Sequence, residues 1–299
     1  MSIYKRKITV LGGTGFVGTE LITALAAAGH TVSVLTRHVR RGRTLSGAPH
    51  VRMMAVDVYQ PKILTQALSG TDVVINLVGI LNERGFGGGG FQKAHAQLTQ
   101  TLINAAVLAG VPRLIQMSAL GADEKGPSHY LRSKGIAERY IRAAPKTLIW
   151  TIFRPSVIFG ARDALLNRFA SLLRLCGGWI PLARSTARFA PVWVGDIVSA
   201  FEIALQSPET HHQSYDLCGP EVITLAELVQ FAGQLSGTPA RILALPDSIG
   251  RSQALIMDFI PGKPFSSDNY RSLCIDNLCK DNGMRRIGIT PAALRTMIP

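Results

Sequence analysis

Little in this chain is charged: 17% of its 299 residues, while 47% are apolar. That balance excludes a disordered segment and calls for a sizeable core, in one large domain or a main domain with a smaller lobe. No run of eighteen uninterrupted apolar residues occurs, which argues against a membrane-spanning helix. The start, MSIYKRK, passes straight into a strand pattern without the apolar stretch or small-residue cleavage site of a signal peptide, so a cytoplasmic protein is expected. Cysteine is scarce too. Cys176, Cys218, Cys274 and Cys279 have no metal-ligand spacing and no accompanying histidine pattern, and they read as buried free thiols with no metal. Acidic residues are outnumbered, 19 against 32 Lys and Arg, leaving a formal charge of +13. Such an excess favours anionic partners: a phosphorylated cofactor, an acidic protein surface or membrane phosphates. Without zinc-finger spacing or an RNA-binding signature, nucleic acid is not expected.

What is present begins with alternation. KITVL, a helical stretch from Phe16 to Ala28 closed by Gly29, and TVSVLTR make a strand–helix–strand unit. VRMMAVDV (51–58), a short helix around 61–69, TDVVINLVG (71–79), a longer helix (91–109), LIQMSAL (114–120), a helix from about Tyr130 and TLIWTIFRPSVIF (147–159) follow. Continuous apolar strands between helices predict an α/β fold, a doubly wound parallel sheet covered on both faces. Beyond Gly160 the rhythm changes: a basic apolar helix (162–175), a Gly-Gly-Trp-Ile-Pro turn, the run RFAPVWVGDIVSAFEIAL, TLAELVQFAGQLSG, a strand in ARILAL and an apolar helix through Ile260. The expected organisation is a nucleotide-binding domain over 1–160 and a smaller C-terminal α/β lobe over 161–299, with some elements returning to the main sheet. The glycine-rich stretch GFGGGG (85–90) would lie near the ligand crevice of such a fold.

The segment GGTGFVG, with Gly12, Gly15 and Gly18 three apart, sits between the first strand and the first helix. In that setting the first glycine permits the tight turn and the second lets backbone N–H groups approach a pyrophosphate. The third lets helix and strand pack closely, while the helix N-terminus supplies partial positive charge. Strand, turn, helix and second strand at the right spacing make dinucleotide binding the expected role of this Rossmann unit. The second strand ends at Arg37, followed by His38, Arg40, Arg41 and Arg43. An acid there would bond an adenosine ribose hydroxyl and repel a 2′-phosphate, whereas a guanidinium does the reverse. NADP(H) is therefore expected over NAD(H).

Tyr130 and Lys134 are four apart and share a helix face. A lysine ammonium beside a phenol favours the phenolate, so the tyrosine could exchange a proton with a carbonyl or alcohol during hydride transfer. Together with GGTGFVG, Asp57 closing the third strand, NLVG closing the fourth, FRPSVIFG and PVWVGDIVSA, this pair resembles the extended and atypical short-chain dehydrogenase/reductases over about two thirds of the chain. NLVGILNERG, MSALGAD, YLRSKGIAE, FRPSVIFGARDALLNRFA and PGKPFSSDNYRS further resemble bacterial relatives of the dehydrogenase-like accessory subunit of respiratory complex I. The resemblance implies a cofactor site of Gly12, Thr14, Gly15, Phe16, Val17 and Gly18 at the pyrophosphate, with Arg37, Asp57, Val58, Leu77, Val78 and Gly79 around adenine and its ribose. Lys134 would hold the nicotinamide ribose, and Pro155 and Val157 would lie at the nicotinamide end. It also implies Ser118 as a third catalytic group, although Ser118 stands early for that role, and it puts His95 where the family often has asparagine. Asp196 reads as an acid near a helix N-terminus, and Trp179 and Trp193 as packing residues.

Three readings stay open. One is an NADP(H)-binding subunit of a respiratory membrane complex with a structural or regulatory cofactor, consistent with peripheral attachment on the inner face. Another is a soluble reductase, epimerase or dehydratase using Tyr130 and Lys134 on an unnamed small molecule. The last is a redox sensor in which NADPH orders a partner surface. Arg162, Arg168, Arg174, Arg184 and Arg188 beside apolar stretches, with Arg251 and Lys263 further on, suggest that an anionic membrane or protein surface meets the C-terminal half.

Overall fold

In the computed structural model, which describes residues 5–42, 44–45, 47–261 and 263–297, the alternating pattern builds a parallel sheet with helices on both faces. The first half runs β1 (Lys7–Leu11), α1 (Phe16–Ala27), β2 (Thr31–Thr36), β3 (Val51–Ala55), α2 (Pro61–Ala67) and β4 (Val73–Asn76). Next come α3 (Gly89–Phe91), a π-helical stretch Gln92–Gln97 that continues into α4 (Leu98–Leu108), β5 (Arg113–Met117), α5 (His129–Arg142) and β6 (Ile149–Pro155). The second half adds β7 (Ile158–Phe159), α6 (Ala164–Leu175), β8 (Trp179–Ala183), β9 (Arg188–Phe189), β10 (Val192–Trp193) and α7 (Val194–Gln206). It continues with β11 (Gln213–Leu217), β12 (Ile223–Thr224), α8 (Leu225–Leu235), β13 (Arg241–Leu245), α9 (Asp247–Met257), α10 (Ser267–Ser272) and the short helices α11 (Gly283–Arg286) and α12 (Leu294–Met297). The main sheet has the order β11-β6-β5-β4-β1-β2-β3, and every pairing in it is parallel.

Strand alternation assigns each apolar side chain to a face. Val10, Val34, Ile75, Ile115 and Phe153 pack with Leu21 and Ile22 of α1 and Ile197 and Phe201 of α7. Their neighbours Leu11, Leu35, Val74, Leu114 and Ile152 pack on the other face with Leu64 of α2, Leu98 and Leu102 of α4 and Ile141 of α5. Because β1 lies between β2 and β4, the chain winds outward in opposite senses from there, and the crevice for a ligand opens past the C-terminal ends of β1 and β4.

The C-terminal half contributes β11 and α7 to the main sheet and core, and it forms two-stranded pairs β7–β10, β9–β12 and β8–β13 around a separate core of Phe159, Leu166, Leu173, Phe189, Leu228 and Val229. Residues 179–183 do not form the turn expected there. Gly177 and Gly178, both at positive φ, make the turn, and Trp179 opens a strand paired with β13. Trp179 itself is mostly exposed, with the Arg241 guanidinium over its ring, so it is no core residue. The apolar face of α6 is covered by α8, and three of the arginines read as surface cations are paired: Arg162 with Glu20, Arg184 with Asp247 and Arg188 with Asp276.

The cysteine reading is also corrected. Cys218, at the end of β11, is disulfide-bonded to Cys279, while Cys176 and Cys274 are free but exposed. The two bridged residues are 61 apart in sequence and meet only because residues 276–282 fold back onto the end of β11, where the Asn282 side chain bonds both backbone groups of Cys218. Spacing alone carries no trace of that. Among the described residues no helix is long and apolar enough to cross a membrane.

Candidate active site

The glycine turn is built as its spacing suggests, with one addition. Gly12 has φ 78°, and a Cβ there would lie 2.9 Å from Leu77 C and from Val78 N, so the end of β1 presses against the segment after β4. At Gly18 a Cβ would meet the Gly13 backbone at 2.6 Å, which is the close helix–turn contact. Gly15 differs: its φ is −81°, and a Cβ there would meet only the Gly12 carbonyl oxygen, at 3.4 Å. The turn is thus crowded at Gly12 and Gly18 and open at Gly15, where a pyrophosphate needs room beside the N-terminus of α1. That cradle fits a dinucleotide. Gly13, not singled out by the spacing, is the most crowded by side chains, with Ile22 Cδ1 2.5 Å from a Cβ position. The ring of Phe16 packs against Gly160, tying the turn to the start of the lobe. Thr14 approaches Gly42, so the basic loop after β2 folds back toward the turn. Arg37 is exposed there; Arg43 lies outside the described residues, as does the side chain of Arg41.

The opposite wall comes from α5 and the π-helical stretch. Ser128 caps α5 by accepting from Leu131 N. Lys134 is buried and donates from Nζ to the Met117 carbonyl oxygen at 3.2 Å. Its Nζ and His95 Nε2 both face Gly79, at 3.5 and 3.8 Å from where a Cβ would stand. The absence of a side chain at Gly79 therefore leaves a notch lined by two nitrogens. Burial draws the Lys134 ammonium down to about 8, against the opposing pull of the Glu138 carboxylate. Burial, with the Lys134 charge beside it, holds His95 down at about 2, so its ring is neutral.

The tautomer of His95 follows from its partners. Nε2 accepts from Ile80 N at 3.1 Å, so the proton sits on Nδ1 and is donated to Ser133 Oγ at 2.8 Å. Ser133 then donates to the Tyr130 carbonyl oxygen at 2.8 Å. The Tyr130 ring stands edge-on to His95 and Phe91, with centroids 5.5 and 6.0 Å away. This half-buried phenol is pushed up to about 12 by burial, the reverse of the lowering expected from Lys134. It is a neutral proton donor throughout the physiological range. The widened turns of a π-helix swing His95 into this chain, which the helical pattern of 91–109 did not reveal.

Ser118 lies elsewhere. Its hydroxyl donates to Glu138 Oε1 at 2.6 Å inside a buried cluster in which Glu138 also accepts from Arg154 and Arg142. Pro155 ends β6 and its carbonyl accepts from Leu120 N, while the Val157 carbonyl accepts from Val192 N, so the segment 155–157 joins the sheet to the lobe. Asp57 is exposed and caps its own turn through Tyr59 N, and Val58 is buried beside it. Asp196, in the first turn of α7, accepts from Ala292 N at 2.8 Å and so serves the backbone.

A Rossmann sheet, a glycine cradle and an adjoining Tyr–Lys helix define a dinucleotide-binding protein. Residues 12–163 match the model of the NAD(P)H-binding family, and the chain belongs to that family, with an extended dehydrogenase/epimerase-like fold. It is 30% identical over 294 residues to the NADH dehydrogenase [ubiquinone] 1 alpha subcomplex subunit 9, mitochondrial, of Arabidopsis thaliana, covering 93% of this chain and 72% of that protein. Among solved structures it is similar to a dTDP-glucose 4,6-dehydratase from Streptomyces venezuelae with NAD bound, at a TM-score of 0.76 and 22% identity, covering 97% of this chain and 94% of that one. It is similar also to a UDP-glucuronic acid 4-epimerase from Bacillus cereus in complex with UDP-glucuronic acid and NAD, at 0.71 and 18%, covering 94% and 98%.

These neighbours correct the expectation of NADP(H) over NAD(H): they hold NAD, which is at least as well supported. The adenosine end offers a physical reason. Arg37 and Asp57 both act on the Tyr59 phenol, Arg37 drawing it down and Asp57 pushing it up beside the larger effect of burial. One charge of each sign acts on the same phenol, so the adenosine end carries an acid that repels a 2′-phosphate as well as an arginine that attracts one.

The glycine geometry separates binding from folding. Gly15→Val has room in the protein, so the variant should fold yet lose NADH and NADPH binding in calorimetric titration. Gly18→Val would force a side chain into the Gly13 backbone, so it should lower the melting temperature markedly as well. Retained cofactor binding in Gly15→Val would overturn the assignment of the cradle.

Proposed function

We propose that this protein is an NAD(P)(H)-dependent oxidoreductase of the reductase, epimerase or dehydratase kind, with Tyr130 as its acid/base group. The observation that carries this reading is the pairing on one face of α5 of a neutral, half-buried phenol with a buried lysine that bounds the Gly79 notch. Gly12, Thr14, Gly15, Phe16, Val17 and Gly18 would cradle the pyrophosphate; Arg37, Asp57, Val58, Leu77, Val78 and Gly79 the adenosine; Lys134 the ribose near the nicotinamide; Pro155 and Val157 the nicotinamide end. When bound, the dinucleotide supplies or accepts a hydride. Tyr130 delivers its phenolic proton to the oxygen of a carbonyl, or receives one from an alcohol. Lys134, with its charge, orients polar groups in the notch. His95 and Ser133 hold the Tyr130 backbone, and Ser118 is left out of the chemistry because its hydroxyl donates its hydrogen bond to Glu138.

The relationship to the Arabidopsis subunit supports a second reading, attachment to a respiratory membrane complex. An apolar stripe along α9 and just beyond favours it: Ile249, Leu255, Ile256 and Phe259 are 53, 51, 67 and 79% exposed. Attachment through that stripe should appear as co-fractionation with membranes that persists as ionic strength is raised. A protein absent from membranes at low salt, with no cross-linked membrane partner, would remove this reading and leave the first intact.

Tyr130→Phe removes the proton donor with little change in volume. Cofactor binding should persist while turnover of a carbonyl substrate falls by about two to four decades; unchanged turnover would assign the proton to another group. The pH profile is a separate expectation. Lys134 is charged below its value of about 8 and neutral above it, so turnover that needs the ammonium is full below that pH and declines as pH rises through it. A profile flat to pH 10 would exclude a role for the charge.

A further inference from the structure

We propose that Asp268 is a positioning residue for Tyr130, through which the C-terminal lobe sets the place of the acid/base group; this rests on the role of Tyr130 proposed above. The first backbone N–H groups of a helix have no partner within it, and α5 shows where each goes. Leu131 N bonds the Ser128 hydroxyl and Arg132 N the Ser128 carbonyl. His129 N and Tyr130 N instead donate to the two oxygens of one carboxylate, Asp268 Oδ1 at 2.6 Å and Oδ2 at 3.0 Å, from a residue 138 positions after Tyr130. Asp268 is 7% exposed and belongs to α10. A carboxylate at the positive end of a helix, accepting from both amides, is a strong and directional contact. The neighbouring Ser272 hydroxyl reaches the Ser128 hydroxyl at 2.9 Å, so the cap itself is also held by the lobe.

The segment that carries Asp268 is fastened on its other side to the loop before α3. Lys263 Nζ donates to the Gly85 carbonyl at 2.6 Å, Asn82 Nδ2 to the Lys263 carbonyl at 3.0 Å and Asn269 Nδ2 to the Leu81 carbonyl at 3.2 Å. Glu83 of that loop receives Gly88 N and Gly90 N at 2.6 and 2.7 Å, which fixes Gly88 against His129. Tyr130 is therefore held at its carbonyl by Ser133, itself bonded to His95, at its ring by the edge contact with Phe91, and at its own N–H by the lobe. The first two restraints lie within the nucleotide-binding sheet and its helices; the third does not. Displacement of α10, by a ligand or by a partner on the lobe, moves the start of α5 and with it the phenol.

The test labels the six tyrosines with 3-fluorotyrosine and assigns the Tyr130 fluorine resonance by its loss in Tyr130→Phe. Asp268→Ala should shift or broaden that resonance while NADH affinity, measured by calorimetry, stays within about twofold, since the cradle lies on other elements. Asp268→Asn has nearly the same shape and retains one acceptor oxygen, so it should fold like the parent and give a smaller displacement in the same direction. A cap that acted only on stability would lower the melting temperature and leave the fluorine resonance of the folded protein in place. An unmoved Tyr130 resonance in folded Asp268→Asn and Asp268→Ala overturns the proposal. Failure of the acid/base reading is seen separately, as unchanged turnover in Tyr130→Phe.

Discussion

The site depends on an approach of two backbone segments too close for a methyl group, Gly12 at the end of β1 against Leu77 and Val78 after β4. Parallel pairing of Leu11 with Asn76 brings these ends level. The Asn76 side chain, buried, accepts from Val78 N and donates to Gln116, so the turn after β4 is braced from β5 as well. Everything downstream is placed relative to that contact. The glycine turn points its open position, Gly15, at the start of α1, and two residues past Leu77 the chain reaches Gly79, where the missing side chain admits Lys134 and His95.

Along α5 the spacing of four does three different things. Tyr130, Lys134 and Glu138 lie on one face, with the phenol near the helix start, the ammonium buried against Met117 and the carboxylate 1% exposed. Taking Lys134 out of water disfavours its charge, and the Glu138 carboxylate restores part of that loss. Glu138 itself is tied by Arg154, Arg142 and Ser118, so its charge stays where Lys134 can feel it. This explains why the one hydroxyl near the end of β5 does not face the crevice. A buried carboxylate needs its lone pairs occupied, and the Ser118 hydroxyl donates to one of them.

The strands, the order of the helices and the glycine cradle were legible because each rests on local chemistry: period-two apolar runs, Gly29 ending α1, and three glycines between a strand and a helix. What was not legible depends on residues far apart or on local departures from regular helix. Cys218 and Cys279 look like isolated thiols until residues 276–282 fold back. His95 stood out only through the family's asparagine position and its direction was hidden, since a π-helical stretch leaves no mark in hydrophobic periodicity. Arg37 and Asp57 were both placed at the adenosine, but the NADP(H) preference rested on the arginine alone, without the opposing charge of Asp57. Asp268 lies in PGKPFSSDNYRS, a segment marked by resemblance alone, and its two bonds to α5 depend on how the lobe is laid over the sheet.

The choice between chemistry and mere cofactor retention can be argued from the cost of the groups involved. Burial raises the Tyr130 phenol to about 12 and lowers the Lys134 ammonium to about 8. The cost at neutral pH falls on Lys134, whose charged form has to be desolvated where a well-packed apolar residue would not. A scaffold that only held a dinucleotide could do so with the glycine cradle, the helix N-terminus and the segment 77–79. Those elements need neither Tyr130 nor the His95–Ser133 chain that grips its carbonyl, nor the carboxylate that grips its amide. Restraints from three directions on Tyr130 favour the proposed acid/base role, since proton transfer depends more closely than cofactor retention on the place of the phenolic oxygen.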